Sequence, residues 1–169
     1  EAASHYARAL ELLQALPADR ARDELEVALR LASCAPLLAI HGLGSDALQA
    51  CASAARALCA RLGDHRGHFA SHRLIWNHSL MRHPVPTTLG HARELMSEAR
   101  ASRSPAELAL AHRALGCSLL YAGKHLEADR LLRRGIALAD KLPDSDFADY
   151  GEHPGMVCRG FGAWAKALR

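Results

Sequence analysis

The sequence has few aromatic residues and no long apolar run. Only 5% of its 169 residues are aromatic, although 50% are hydrophobic. This composition favours helices that pack on Ala and Leu over a sandwich of sheets built on large side chains. No apolar run approaches the roughly 18 residues of a membrane helix, and no segment shows the sustained alternation of a β-strand. These absences predict an all-α protein that does not enter a membrane.

Neither sign of charge dominates the chain. The 21 Lys and Arg residues nearly balance the 18 Asp and Glu residues, which leaves a formal net charge of +3. Basic and acidic residues are interspersed, and the densest basic group, Arg130, Arg133 and Arg134, is interpreted as a solvated helix face. We therefore expect no direct binding of nucleic acid.

Paired cysteine motifs are also missing. The five cysteines are odd in number and form no CxxC pair, and no signal peptide is visible in the sequence. Four of them lie in apolar helical patterns, where a free thiol acts as a small core residue. We expect a reducing compartment and a cytoplasmic location.

What the sequence does contain is a series of amphipathic helical patterns. Capping residues, glycines and prolines divide the series. Pro36 should kink or split the second helix, and the two prolines at 83–86 should impose a loop. Ser104 and Glu107 form a predicted capping box. The predicted helices are residues 2–16, 19–40, 45–62, 65–82, 88–101, a pair split at Gly123, and a last helix from about Pro154.

The run from Leu110 to Asp140 is the most specific pattern. Gly116, Ala128 and Gly135 place small residues where two antiparallel helices must touch, and Gly123 divides the halves. This spacing is typical of a tetratricopeptide-like hairpin. The equivalent small residues elsewhere are irregularly spaced, whereas a regular repeat has about 34 residues. Ala9, Ala55, Ala99 and Gly135 are separated by 46, 44 and 36 residues.

These patterns predict one domain over residues 1–169. Its fold would be an irregular tetratricopeptide-like α-α superhelix, or solenoid, of about eight antiparallel helices. Glu rather than Met stands at position 1, and the chain stops at Arg169 within an apolar helical pattern. We therefore expect a fragment of a larger protein.

Several stretches resemble one family beyond the repeat itself, namely the C-terminal tetratricopeptide-like region of large bacterial signalling ATPases. The loop motif YGEHPG (150–155) is the most specific of them. The chain departs from the family at 83–87. The other stretches are ALELLQALPADRARDELEVALRLA (9–32), ARALCARLGD (55–64), HARELMSEA (91–99) and AHRALGCSLLYAGKHLEA (111–128).

The resemblance implies a regulatory role. In that family an ATPase domain precedes the repeats, and the N-terminal output domain is a class III adenylate or guanylate cyclase or a winged-helix DNA-binding domain. The repeats would sense a partner and control those domains. No ATPase, cyclase or DNA-contacting residue of the family falls within this chain, so none is carried over.

Candidate chemistry within the chain is weak. His65, His68 and His72 share one helix face, but no Cys or carboxylate at metal spacing accompanies them, so no metal is expected. Cys117 and His112 fall on different helix faces, which disfavours a nucleophile pair. We expect no catalytic residue, no cofactor and no enzymatic activity in this fragment. The acidic loop 142–153 is either solvated or a structural cover for the binding surface.

The remaining candidate is the inner groove, which in such a solenoid is lined by the first helix of each pair. Arg and aromatic residues are the types that anchor interfaces. The leading hypothesis is a scaffold that binds a protein, a peptide or upstream domains of its own chain; a small-molecule receptor and a structural oligomerisation module are the alternatives. The candidate groove residues are His72, Trp76, Arg113, Cys117, Tyr121, His153, Arg159 and Trp164.

Overall fold

The computed structural model describes residues 2–168, and these residues form helices and turns without a strand. The prediction of an all-α protein is therefore confirmed for this part of the chain. A 3-10 helix, Asp144–Tyr150, precedes the last α-helix. The α-helices are α1 (Ala2–Leu13), α2 (Arg20–His41), α3 (Asp46–Leu62), α4 (His65–Arg82), α5 (Val85–Ser102), α6 (Pro105–Tyr121), α7 (His125–Ala139) and α8 (Pro154–Ala167).

The chain divides into two compact units, the first ending at Arg82 and the second beginning at His83. In the first unit α2 contacts α1, α3 and α4, and α3 contacts α4. Its interior includes Leu48, Ala52 and Leu74. In the second unit α6 contacts α5, α7 and α8, so α6 is the central helix.

Predicted capping residues begin and end several helices. The Ser45 hydroxyl accepts a hydrogen bond from the Leu48 N–H at 3.1 Å, and Asp64 Oδ1 accepts one from the Gly67 N–H at 2.9 Å. Gly63 ends α3 in the left-handed conformation at φ 74°, which a glycine adopts without steric cost. Local chemistry therefore sets these boundaries as the sequence indicated.

The structure corrects two predictions based on proline. Of the two effects expected of Pro36, a kink or a split, the split does not occur, because α2 runs as one helix through it. Packing on α1, α3 and α4 outweighs the single backbone hydrogen bond that proline cannot make. The predicted loop at 83–86 also ends earlier, because α5 begins at Val85 with Pro86 in its first turn. The backbone N–H groups in the first turn of a helix have no carbonyl partner within that helix, so a proline there loses no helical hydrogen bond.

Small residues bring α6 and α7 together as the sequence predicted. A Cβ added to Gly116 on α6 would lie 2.7 Å from Leu132 Cγ on α7. A Cβ on Gly135 would lie 2.9 Å from Cys158 Sγ on α8 and 3.4 Å from the Ala109 carbonyl oxygen on α6. The contacts with Leu132 and Cys158 are shorter than 3.0 Å, so any side chain at Gly116 or Gly135 would force these neighbours to move. This packing therefore needs glycine at both positions.

No helix within residues 2–168 combines the length and apolar character that crossing a membrane requires.

Candidate interaction surface

The structure distributes the candidate groove residues between the two units. His72 and Trp76 lie on α4 of the first unit. The second unit holds the other six: Arg113, Cys117 and Tyr121 on α6, His153 before α8, and Arg159 and Trp164 on α8. Helices α6 and α8 are in contact, so the candidate residues on these two helices belong to neighbouring elements.

Arg113 is buried beneath the segment between α7 and α8. Its Nη1 donates a hydrogen bond to Glu152 Oε1 at 2.7 Å, and only 7% of the Arg113 side chain and 18% of the Glu152 side chain are exposed. A charge-assisted hydrogen bond of this kind holds both groups in place. The guanidinium is therefore engaged by its own chain rather than presented to a partner.

A second contact ties the same segment to the start of α6. The Tyr150 hydroxyl donates to Glu107 Oε1 at 3.2 Å, and the Ser102 hydroxyl donates to the other carboxylate oxygen. The predicted capping box is half formed, because Ser104 Oγ accepts from the Glu107 N–H at 3.3 Å while the carboxylate turns toward Ser102 and Tyr150. The segment 142–153 is thus fastened to α6 at two points.

The interior of this segment is aromatic and its surface is acidic. Phe147 and Tyr150 are buried, and the Phe147 ring meets the His153 ring edge-on, with centroids 5.0 Å apart. His153 Nε2 lies 3.5 Å from Oδ1 of Asp144, whose side chain is 95% exposed. His153 is therefore held within the segment by Phe147 and Asp144.

Cys117 lies in the core of the second unit. It is fully buried on α6, as is Cys158 on α8. Burial raises the pKa of each thiol to about 12, and burial also lowers the pKa of His112. Both thiols therefore stay protonated near neutral pH and pack as small core residues.

Three aromatic side chains meet at the junction of α6 and α8, and we call this group the aromatic surface: Tyr121, Phe161 and Trp164. The Tyr121 and Trp164 rings meet edge-on with centroids 5.9 Å apart, and Phe161 lies 6.1 Å from Trp164. Tyr121 and Trp164 remain 44% and 47% exposed. Large aromatic side chains that hold one another in place while half exposed are suited to binding an apolar group.

Arg159 lies elsewhere on α8, and its role differs from that of Arg113. Its Nη2 donates to both carboxylate oxygens of Asp140 at 2.7 Å. Its side chain is 52% exposed, and it lines a surface cavity of about 310 Å³ with Arg133 and Lys166. This pair joins the end of α7 to α8 and leaves the guanidinium accessible.

The histidine face of α4 runs from the surface into the interior, since His65 is exposed, His68 is partly buried and His72 is buried. His72 and Trp76 are fully buried, and the His68 and His72 ring centroids are 6.4 Å apart. Arg56 Nε donates to His68 Nε2 at 3.2 Å. A metal ion at that nitrogen would have to displace Arg56, because both need the same lone pair.

Sequence reasoning did not include Phe161 or Glu107 among the site residues. Phe161 precedes Trp164 by three residues, which places both on one helix face, so this spacing was an available signal. Glu107 was assigned only a capping role. Its bond to Tyr150 spans 43 positions, and no local pattern encodes such a pairing.

Comparisons with protein-family models, with curated proteins and with solved structures find no match for this chain.

Proposed function

We propose that this chain is a non-enzymatic regulatory scaffold that binds a protein or peptide segment through the aromatic surface. The observation that supports it most is the half-exposed pair Tyr121 and Trp164, held together on α6 and α8. Tyr and Trp are enriched among the few residues that provide most of an interface's binding energy.

The helices that carry the aromatic surface are closely packed, which supports its proposed role in binding. Tyr121 lies at the end of α6, whose Gly116 allows near contact with α7. Leu119, Leu120 and Ala165 are buried beside the partly buried Phe161. A side chain fixed before binding loses less entropy when a partner arrives. The arrangement therefore favours recognition by a preformed surface.

The position of the segment 142–153 narrows the proposed site. Glu152 accepts a hydrogen bond from Arg113, and Tyr150 donates one to Glu107. The segment therefore covers the first half of α6. The end of α6 and the second half of α8 remain for the partner. An apolar anchor side chain, inserted among the three aromatic rings, is the chemistry that fits this surface.

The same proposal extends to the parent protein. We assign the chain to the tetratricopeptide-like superhelix of a cytoplasmic bacterial signalling ATPase, with a cyclase or winged-helix output domain, on the sequence resemblance alone. The sequence that encodes residues before Glu1 tests this assignment. A nucleotide-binding Walker motif is expected there, and a different domain would contradict it.

Trp164→Ala tests the proposed binding surface. Peptides are selected on the full chain from a displayed random library, and their Kd values are measured by calorimetry. We expect apolar consensus residues and at least about a tenfold weaker Kd for the variant. The matched control is Ile40→Ala, which removes a side chain 58% exposed in the first unit and should leave Kd unchanged. Equal affinities for the two variants, or a library that yields no ligand, would contradict the proposal.

A further inference from the structure

Two cysteines of the first unit meet between adjacent helices. Cys34 lies on α2 and Cys51 on α3, and both are free thiols. Cys34 Sγ lies 3.2 Å from the carbonyl oxygen of Arg30, and Cys51 Sγ lies 3.4 Å from the same atom. The two thiols share one acceptor and also hydrogen-bond to each other, so their sulfur atoms are neighbours although 17 positions separate them in the sequence.

Polar groups surround the pair within an otherwise apolar core. Ser33 Oγ lies 3.1 Å from Cys51 Sγ, where either atom can donate, and 2.8 Å from the Arg30 carbonyl oxygen, so the hydroxyl can turn from the carbonyl to the sulfur. Leu48, Leu74 and Ile75 enclose the rest of the cluster. Hydrogen-bond donors beside one sulfur favour its thiolate form.

The two thiols differ in acidity. A hydrogen bond from Cys34, a further one from Ser33 and the positive charge of Arg30 lower the pKa of Cys51, although burial opposes the shift. The hydrogen bond to Cys51 and burial raise the pKa of Cys34. Arg30 is itself paired with Glu26 at 2.6 Å, and Arg73 of α4 adds a further positive charge near Cys34.

We propose that Cys34 and Cys51 form a redox modification site, at which a hydroperoxide converts the two thiols to a reversible disulfide joining α2 to α3. Cys51 is the attacking thiol and Cys34 the resolving thiol. The site is independent of the aromatic surface, which lies in the other unit.

The reaction balances with hydrogen peroxide as the oxidant. The Cys51 thiolate attacks one peroxide oxygen, the O–O bond breaks, and hydroxide leaves and takes up the proton that Cys51 had released. Cys51 is then a sulfenic acid. The Cys34 sulfur attacks Cys51 sulfur, the S–O bond breaks, and the Cys34 proton leaves with the hydroxide as water. Two thiols lose two electrons, and one peroxide becomes two waters.

Alkylation of the native full chain tests the acidity difference. Iodoacetamide is added at pH 7, and the modified cysteines are mapped by mass spectrometry. Cys51 should react at least about tenfold faster than the other thiols, and its rate should fall as the pH is lowered, because protonation removes the thiolate. Cys59, Cys117 and Cys158 are internal controls, because burial raises the pKa of each to about 12. Equal rates, or faster reaction at a control thiol, would overturn the proposal.

Peroxide treatment tests the disulfide itself. Non-reducing peptide maps of the full chain should show Cys34 joined to Cys51 within one molecule, with loss of two hydrogen atoms that dithiothreitol restores. In Cys34→Ser, dimedone should trap a sulfenic acid on Cys51, whereas in Cys51→Ser it should not label Cys34. Circular dichroism checks that the variants are helical; if they do not fold, the wild-type map still decides. A disulfide between other cysteines or between molecules, or no disulfide, would overturn the assignment.

Discussion

Gly116 shows how a single residue fixes the distance between two helices. An added Cβ would meet Leu132 of α7 at 2.7 Å. We therefore expect Gly116→Ala to lower the free energy of unfolding by about 1–3 kcal/mol, which is the usual cost of overpacking a core. Urea unfolding followed by circular dichroism at 222 nm measures the change.

Gly160→Ala is the matched control for that substitution. Gly160 is also inside a helix, but an added Cβ meets nothing within 4 Å. Alanine has the higher helix propensity, so the free energy of unfolding should rise by up to about 1 kcal/mol. Destabilisation by both variants to the same extent would show that the loss at Gly116 does not come from contact with Leu132.

Residue-scale predictions from the sequence worked where the cause was local. Ser45 and Asp64 cap their helices because each side chain reaches an N–H three residues ahead. The partner of Arg113 lies 39 positions away, so no spacing rule identifies it. The sequence predicts Arg113 as a groove residue from its place on the inner helix, three residues before Gly116, and from its residue type.

At the scale of elements, one of the two contacts that fasten the segment 142–153 to α6 is a buried ion pair. Glu152→Ala would leave the Arg113 guanidinium buried without its carboxylate. We expect the free energy of unfolding to fall by about 3 kcal/mol, since removal of one partner of a buried pair is strongly destabilising. Chemical denaturation measures the loss, and hydrogen exchange should show faster amide exchange within 144–150.

Asp144→Ala provides the comparison within the same segment. Asp144 also faces a basic partner, His153, but its side chain is 95% exposed. Exposed pairs contribute roughly 0–1 kcal/mol, so the stability should change little. If the two variants had equal effects, the buried pair would not be what holds the segment on α6.

Helix boundaries were largely predictable, and two of the errors share one origin. The periodicity of apolar residues and the glycine stops gave α4 with the residues observed and α3 to within one residue. Helix α1 ends at Leu13, three residues before its predicted end. The errors at Pro36 and Val85 came from treating proline as a helix breaker at every position. Position within the helix and packing of its faces decide whether proline is accommodated.

At the scale of the whole molecule, composition and periodicity predicted the all-α class correctly. They identify which face of each helix is apolar, but they do not specify how successive helix pairs are placed. The superhelix, the regulatory role and the ATPase parent therefore remain predictions. The sequence placed Tyr121 and Trp164 in one candidate groove, but they are 43 positions apart, so the contact between their rings was seen only in the structure.

The central claim is that a partner binds at Trp164. The chain has two tryptophans, of which Trp76 is fully buried and Trp164 is 47% exposed. The most direct measurement is therefore the indole N–H region of a ¹⁵N-HSQC spectrum during titration with a library-selected peptide, with Trp164→Phe assigning the signals. We predict that the Trp164 signal shifts progressively to saturation while the Trp76 signal stays in place. A saturating peptide that leaves the Trp164 signal unmoved would contradict the account.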